Sequence, residues 1–201
     1  MGNTQDFVEA HLKEMAGIAE SSPVEALTAF IDVLAAAWRD GKTVYTCGNG
    51  GSAGTATHFA ADLAKFTWKP GKPRLKAVSL CENAPLLSAL TNDEGFAHIF
   101  SWQLESFMQS GDVLVCISVH GGNGSDKAGP WSQNLLRGVE MARQKGGKVL
   151  GLAGFDGGAL KQMADVCVVV PAQSTPHVEA FHVCYHHMVV ERLRQIVAET
   201  T

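Results

Sequence analysis

The first 40 residues of the chain place their apolar positions at helical spacing. Phe7, Leu12 and Ile18 recur in residues 5–20, and a second apolar set follows in residues 23–39. Side chains three or four positions apart share one face of a helix, so each segment predicts an amphipathic helix. The pattern therefore predicts a helical N-terminal appendage over these 40 residues.

From Lys42 the pattern changes to short runs that are rich in β-forming residues. Helical patterns of about ten to fifteen residues separate five such runs, which are TVYTC, LKAVSL, DVLVCIS, KVLGLAG and VCVVV. Runs that are apolar on both faces, such as residues 113–117 and 166–170, are typical of parallel strands covered by helices on both sides. A long helix over residues 177–198 completes a predicted single α/β domain over residues 1–201.

Charge and cysteine content narrow the function classes. The 201 residues include 16 basic and 20 acidic side chains, a net charge of −4, so the chain has no overall attraction for nucleic acid or an anionic membrane. The N-terminus lacks a basic segment followed by an apolar one, and no run has the length of a membrane span. The five cysteines never form C-x-x-C, which suits a reducing compartment. We therefore expect a cytoplasmic protein without nucleic-acid or membrane partners.

A glycine-rich segment joins the first predicted strand to a helix. It consists of Gly48, Asn49, Gly50, Gly51 and Ser52. Glycines let the backbone turn sharply, so that the amides at the helix N-terminus can point at an anion. The segment lacks the G-K-[ST] ending of a Walker A loop and the last glycine of G-x-G-x-x-G, which argues against a dinucleotide-binding dehydrogenase. A tight turn without a ligand is the alternative, but the order strand, glycines, serine and helix favours phosphate.

A second serine-bearing loop follows the run DVLVCIS. Ser118 and His120 end that strand, and Ser132 stands at the predicted start of the next helix. Open α/β sheets bind ligands at the carboxyl ends of neighbouring strands, so we expect both serine loops to face one crevice. Taken alone, Ser132 is better explained as a helix cap, because serine is favoured at that position whatever the function.

Histidines and carboxylates occur at helical spacing in two places. His58 and Asp62 lie four residues apart on the helix after the first loop, so both project from one face. On the predicted C-terminal helix, spacing alone places three side chains on one narrow stripe: Glu179, His182 and His186. Such sets can bind a metal ion or act as an acid–base unit. For an isolated pair, a surface hydrogen bond is the alternative.

Four motifs in this order resemble the bacterial phosphoheptose isomerases of the sugar-isomerase (SIS) fold. They are GNGGS-x(5)-HFA-x-D-L at 48–63, TNDEGF at 91–96, GDVLVCIS at 111–118 and FDGGAL-x(3)-AD at 155–165. The resemblance covers nearly the whole chain and is more specific than any single loop. It implies a three-layer, flavodoxin-like α/β fold with a parallel sheet, a homotetramer, and isomerisation of sedoheptulose 7-phosphate for heptose and cell-envelope polysaccharide biosynthesis.

The resemblance also implies the site residues. It assigns the sugar phosphate to both serine loops, with further substrate contacts nearby: Asn49, Gly50, Gly51, Ser52, Ser118, His120, Ser132, Asp93 and Lys65. It maps a metal site onto two histidines and two carboxylates, a set that suits zinc: His58, Asp62, Glu179 and His187. Asp62 is then the expected base, His187 the acid or relay, and Glu179 a rival base. His182 and His186 become second choices.

The chain departs from the resembled family in its site and in one loop. Asp62 replaces a usual glutamate, Glu179 a usual glutamine and His120 a usual serine. The glycine-rich segment 121–130 is an insertion, either a lid or substrate contact or a surface excursion. The rival function is a non-catalytic SIS-domain protein that binds a sugar phosphate or the bacterial replication initiator. Such a protein needs no acid–base residues, so the histidine and carboxylate sets favour catalysis.

Overall fold

The computed structural model describes residues 2–122 and 132–200. Most of the segment expected as an insertion therefore lies outside the described residues. The helices are α1 Thr4–Glu20, α2 Val24–Arg39, α3 Gly51–Lys65, α4 Ala84–Glu94, α5 Ser101–Phe107, α6 Gln133–Gln144, α7 Gly158–Met163 and α8 Thr175–Glu199, with a 3₁₀-helix at Phe96–His98. The strands are β1 Thr43–Gly48, β2 Lys76–Ser79, β3 Val113–Ile117, β4 Lys148–Ala153 and β5 Val166–Val169.

The strands form a five-stranded parallel sheet in the order β2-β1-β3-β4-β5. The order reverses between β1 and β3, which is the position where open α/β sheets bind their ligands. Cys47 lies opposite Cys116 and Gly48 opposite Ile117, so the carboxyl ends of β1 and β3 are level. This pairing brings the two predicted serine loops to one edge of the sheet.

Apolar cores cover both faces of the sheet. Successive side chains of a strand point to opposite faces, so Val113 and Val115 join one core while Leu114 and Cys116 join the other. Helices α2, α3 and α8 cover the first face, and α5, α6 and α7 cover the second. The expected three-layer α/β sandwich is thereby confirmed.

The two N-terminal helices differ in their packing. α2 belongs to the core layer, since the side chains of Phe30 and Leu34 are fully buried. α1 buries Ile18, whereas Phe7 is 69% exposed and Leu12 is 62% exposed. An apolar face of α1 is thus open to solvent in the isolated chain. The division into one domain with a helical appendage stays a prediction.

The five cysteines are free thiols. Cys47 and Cys116 lie side by side on β1 and β3, with their Sγ atoms 3.5 Å apart. Burial, followed by the neighbouring Cys116 thiol, raises the pKa of Cys47 well above its usual value, so this thiol stays protonated at neutral pH. Within residues 2–122 and 132–200, no helix combines the length and the apolar composition that crossing a membrane requires.

Candidate functional site

A cavity lies at the carboxyl ends of β1 and β3. Residues from both serine loops and from α8 contribute its polar lining: Asn49, Ser52, Ser118, His120, Ser132 and Glu179. Hydroxyl groups, an amide and the N-terminus of α3 meet here, and these are groups that bind phosphate. The structure thus brings together the two loops that the sequence predicts to share a crevice.

Glycines shape the loop that leads into α3. A Cβ atom on Gly48 would lie 2.5 Å from the backbone oxygen of Ser52, so only glycine allows the strand end to pass so close to the helix. Gly50 adopts a φ of 55°, in the left-handed region that favours glycine. Ser52 follows within the first turn of α3 and is 5% exposed. The loop therefore holds Ser52 and the helix N-terminus at the cavity.

Ser132 immediately precedes α6, and its side chain does not cap the helix. Its backbone has a φ of 53°, and its side chain makes no capping hydrogen bond to α6. The cap role that explains many helix-start serines is therefore not the one seen here. Ser132 instead lines the cavity together with Ser118.

Asn134 is a site residue that the sequence patterns did not reveal. The Asn49 amide nitrogen donates to the Asn134 side-chain oxygen over 3.0 Å, and the Asn134 nitrogen donates back to Asn49 over 2.8 Å. Asn134 is 1% exposed. The reciprocal pair ties the first phosphate loop to the start of α6, so it holds the two sides of the cavity in register.

Glu179 belongs to this cavity. Its Oε1 atom lies 2.9 Å from the position that a Cβ atom would take on Gly51, so the missing side chain at Gly51 makes room for the carboxylate. Glu179 and His187 are eight residues apart on α8, which is an axial rise of about 12 Å. The structure therefore does not bring together the expected four-ligand set, because Glu179 lies away from the other three.

A cluster of three histidines and one carboxylate forms between α3 and α8. It consists of His58, Asp62, His186 and His187, and one potential ligand atom from each lies within 4.8 Å of the others. The Asp62 Oδ2 atom is 3.4 Å from His58 Nε2, 3.6 Å from His186 Nε2 and 3.5 Å from His187 Nδ1. Three of the four expected ligands thus converge, together with His186, and the expected role of Glu179 as a ligand stays a prediction. Such a group could hold a metal ion.

The environment of His186 suits a metal ligand. Burial, followed by the neighbouring His187 and His58 and partly offset by Asp62, lowers the pKa of His186 to about 4. The ring is therefore neutral at pH 7, which is the form that binds metals. Its 3.6 Å contact with Asp62 is too long for a hydrogen bond, and neither ring nitrogen has a hydrogen-bond partner among the described residues.

Three other predicted residues lie outside both the cavity and the cluster. Asp93 is an exposed residue near the end of α4 and accepts a hydrogen bond from Asn92 over 2.7 Å. Lys65 is the exposed last residue of α3. His182 is 1% exposed, and burial, partly offset by the backbone of Ala153, lowers its pKa to about 4. A packing role fits His182, which was a second choice as a site residue.

Comparisons with known proteins match these features to one class. The family model for the SIS domain matches residues 7–154. Phosphoheptose isomerase GmhA from Neisseria gonorrhoeae superposes with a TM-score of 0.84 and 31% sequence identity, covering 96% of this chain and all of that chain. A parallel sheet with two serine loops at its switch point is thus the architecture of an SIS-domain protein.

Similar sequences narrow the class to one family. Phosphoheptose isomerase from Rhodospirillum rubrum is 40% identical over 156 residues, which are 78% of this chain and 78% of that protein. Lincomycin biosynthesis protein LmbN from Streptomyces lincolnensis is 43% identical over 167 residues, which cover 81% of this chain and 60% of LmbN. The chain thus spans less than two thirds of LmbN. It belongs to the phosphoheptose isomerase family of SIS-domain enzymes.

The asparagine pair gives a direct test of how the cavity is held together. We expect Asn134→Ala to lower the free energy of unfolding by about 2 kcal/mol, because it leaves the Asn49 amide without its partner. The exposed Asn92, which also makes a side-chain hydrogen bond, provides the control: Asn92→Ala should change stability by less than about 0.5 kcal/mol. Urea denaturation at one protein concentration measures both. Equal effects of the two substitutions would contradict the role of the pair.

Proposed function

We propose that this protein converts sedoheptulose 7-phosphate into a manno-heptose 7-phosphate by ketose–aldose isomerisation, for heptose and cell-envelope polysaccharide biosynthesis. The observation that carries the proposal is the separation between the phosphate cavity and the histidine cluster along α3. The names of the related enzymes support the substrate class. The spacing within the site supports a long sugar whose phosphate lies far from its carbonyl.

α3 sets this spacing. Ser52 stands at its N-terminus, and His58 and Asp62 follow six and ten residues later, an axial rise of about 9 to 15 Å. An extended chain of bonded atoms advances roughly 1.2 Å per bond, so about 8 Å separate the phosphorus of sedoheptulose 7-phosphate from its carbonyl carbon C2. The side chains of Ser52, His58 and Asp62 can span the difference between this axial rise and the length of the sugar. A phosphate in the cavity thus leaves C1 and C2 of a seven-carbon ketose near the cluster, whereas a triose phosphate is too short.

The residues of the cavity bind and orient the phosphorylated end of the sugar. Ser52, Ser118 and Ser132 donate their hydroxyl groups to phosphate oxygens, and the N-terminus of α3 adds backbone amides and a favourable field. Glu179 lies on α8 between this end and the cluster, so its carboxylate accepts hydrogen bonds from hydroxyl groups in the middle of the sugar. The expected roles of Glu179 as a metal ligand and a rival base stay predictions.

Asp62 and His187 carry the proton transfers. Asp62 takes a proton from C1, the electron pair of that C–H bond forms the C1–C2 double bond of the enediol, and the oxygen on C2 takes a proton from water. His187 then delivers a proton to C2 as the double bond breaks, while the hydroxyl proton on C1 passes to water and the aldehyde forms. Both groups are partly exposed to solvent, so Asp62 loses its proton to water and His187 regains one. The Asp62 Oδ2 atom faces the three histidines. The Oδ1 atom is therefore the one that accepts the proton.

The cluster fits zinc by its donor atoms and by their spacing. Ligands at 2.0–2.1 Å from a tetrahedral ion are separated by about 3.3 to 3.4 Å, and the three Asp62–histidine distances are 3.4–3.6 Å. Three imidazoles and one carboxylate are ordinary zinc ligands. A bound ion would polarise the substrate carbonyl and stabilise negative charge on its oxygen.

The cytoplasmic location expected from the cysteines stays a prediction.

Kinetic assays on purified protein test the proposed reaction. We expect turnover of sedoheptulose 7-phosphate with a higher kcat/KM than for fructose 6-phosphate, whose carbonyl lies one bond closer to the phosphate. Asp62→Asn keeps the side-chain shape but removes the base, so kcat should fall by at least about 100-fold. Ser118→Ala removes one phosphate donor, so KM should rise with a smaller change in kcat. Binding of sugar phosphates without any turnover would instead support the non-catalytic SIS-domain alternative.

Metal analysis tests the cluster independently of activity. We expect about one zinc ion per chain, and chelation should lower the melting temperature because the ion links α3 to α8. His187→Ala should lose metal and turnover together. His182→Ala, its buried neighbour on α8, should lower the melting temperature through lost packing and keep the metal. Absence of stoichiometric metal, with a chelator-insensitive rate, would assign the cluster to metal-free proton transfer.

A homotetramer is proposed for the assembly. Phe7, Leu12 and Val24 are large apolar side chains that are more than half exposed in the single chain, and Met188 is 45% exposed. Burying such side chains between copies is favourable. Sedimentation equilibrium should give four times the 21.4 kDa chain mass, and the double substitution Phe7→Lys, Leu12→Lys should reduce it. A monomer at micromolar concentration would contradict the proposal.

A further inference from the structure

Phe155 has an unusual backbone conformation beside the phosphate cavity. Its φ is 54°, in the left-handed region that bulky side chains rarely adopt. Among the described residues, the other non-glycine residue with a positive φ is Ser132, which lines the cavity. Such conformations persist where surrounding contacts enforce them, and they are concentrated at functional sites. The contacts of Phe155 therefore indicate what its conformation serves.

The Phe155 ring lies against the imidazole of His120. Their ring centroids are 4.2 Å apart, and the planes are tilted by 37°. His120 lines the cavity beside Ser118, whereas Phe155 is not part of the lining. Any effect of Phe155 on a bound phosphate must therefore pass through another residue, and His120 is the lining residue whose ring it contacts.

The loop that carries Phe155 is locked to the loop that carries His120. A Cβ atom on Gly121 would lie 1.9 Å from the Gly157 oxygen, so the two backbones touch where neither has a side chain. The amide of Leu160 donates to the Gly121 oxygen over 2.8 Å, and the amide of Gly154 donates to the Val119 oxygen over 2.9 Å. These contacts fix the loop positions, so a glycine at position 155 would not by itself release the loop.

The same loop also abuts α8. A Cβ atom on Gly154 would lie 2.4 Å from the Val178 side chain, and Val178 precedes Glu179 in the cavity wall. The Phe155 amide donates to the Ala172 oxygen over 3.2 Å. The backbone of this segment is thus held from two sides, and the Phe155 ring is directed at His120.

We propose that Phe155 is a positioning residue for phosphate binding. Its ring holds the His120 imidazole at the cavity wall in an orientation from which a ring nitrogen donates a hydrogen bond to the phosphate. A freely rotating imidazole would lose side-chain entropy on binding, and the aromatic contact removes that cost beforehand. The inference rests on the proposed function, because it takes the phosphate group of the substrate as the ligand of this cavity.

Substitutions at position 155 distinguish the effect of the aromatic ring on phosphate binding from the effect of the backbone strain. Phe155→Leu keeps an apolar side chain at the positive φ but removes the flat ring, and Phe155→Gly removes both the ring and the strain. Both should raise the KM for the ketose phosphate and the Kd for inorganic phosphate by about tenfold, the effect of one weakened hydrogen bond to a charged group. The kcat should stay within about twofold of the value for the unmodified protein, because the reacting carbons lie at the histidine cluster between α3 and α8, away from Phe155. Phe155→Tyr keeps the ring and should behave like the unmodified protein.

A double-mutant cycle identifies His120 as the partner. His120→Ala should itself raise the Kd for inorganic phosphate, and Phe155→Leu should then add no further increase. Additive effects of the two substitutions would overturn the proposal, as would an unchanged phosphate Kd in Phe155→Leu. Loss of phosphate binding in Phe155→Tyr as well would also overturn it, by assigning Phe155 to packing alone.

Calorimetric titration with inorganic phosphate needs no turnover. If the protein isomerises no ketose phosphate but the cycle shows coupling, the proposed reaction fails and the role of Phe155 stands. If turnover occurs and the coupling is absent, the role of Phe155 fails and the reaction stands.

Discussion

The packing of α3 against α8 is the contact on which both halves of the site depend. Ala56, Phe59 and Leu63 form a fully buried stripe on α3, and the Phe59 ring stacks on His186 with centroids 5.4 Å apart. The rotation of a helix is set by its buried face, so this stripe leaves His58 and Asp62 at its flank, facing α8. The same helix begins at the phosphate loop. One rigid element therefore fixes the distance from the anion site to the acid–base cluster.

The fold could be predicted from the sequence because its signals are local. The runs that are apolar on both faces gave the parallel strands, and the long C-terminal pattern gave α8, observed as Thr175–Glu199. The two serine loops lie at one edge of the sheet as predicted, because the carboxyl ends of the neighbouring strands β1 and β3 are level. Family resemblance supplied the choice of His58, Asp62 and His187, and the structure brings these three together.

The expected ligand set differs from the observed cluster at one position on α8. Glu179 and His187 are two turns apart on this helix, and the Glu179 carboxylate lies beside Gly51. Helical spacing alone places His186 on one stripe with Glu179 and His182, and His186 faces α3 one position before His187 and is fully buried. A residue in an apolar stripe is ordinarily a core residue, and for that reason its sequence context concealed a potential ligand.

Other parts of the site depend on contacts between distant segments. Asn49 and Asn134 are 85 residues apart, and no periodicity links them. The contact of Phe155 with His120 depends on the loops after β3 and β4, which touch through glycines. The sequence pattern does not predict this contact. Such pairings follow from topology and close packing, which a single sequence expresses weakly.

The contact between Glu179 and Gly51 has an electrostatic consequence for selectivity among anions. A carboxylate beside the first residue of α3 opposes part of the positive field that the helix N-terminus presents. Chloride, which has no oxygen atoms, and acetate, which has two, carry a single charge and gain little by entering such a partly neutralised loop. A phosphate group carries up to two charges and engages several hydroxyl groups at once, so it overcomes the opposing carboxylate. The absence of one methyl group at Gly51 thus places a carboxylate beside the loop, so that an anion bound there has to offset this charge with several hydrogen bonds.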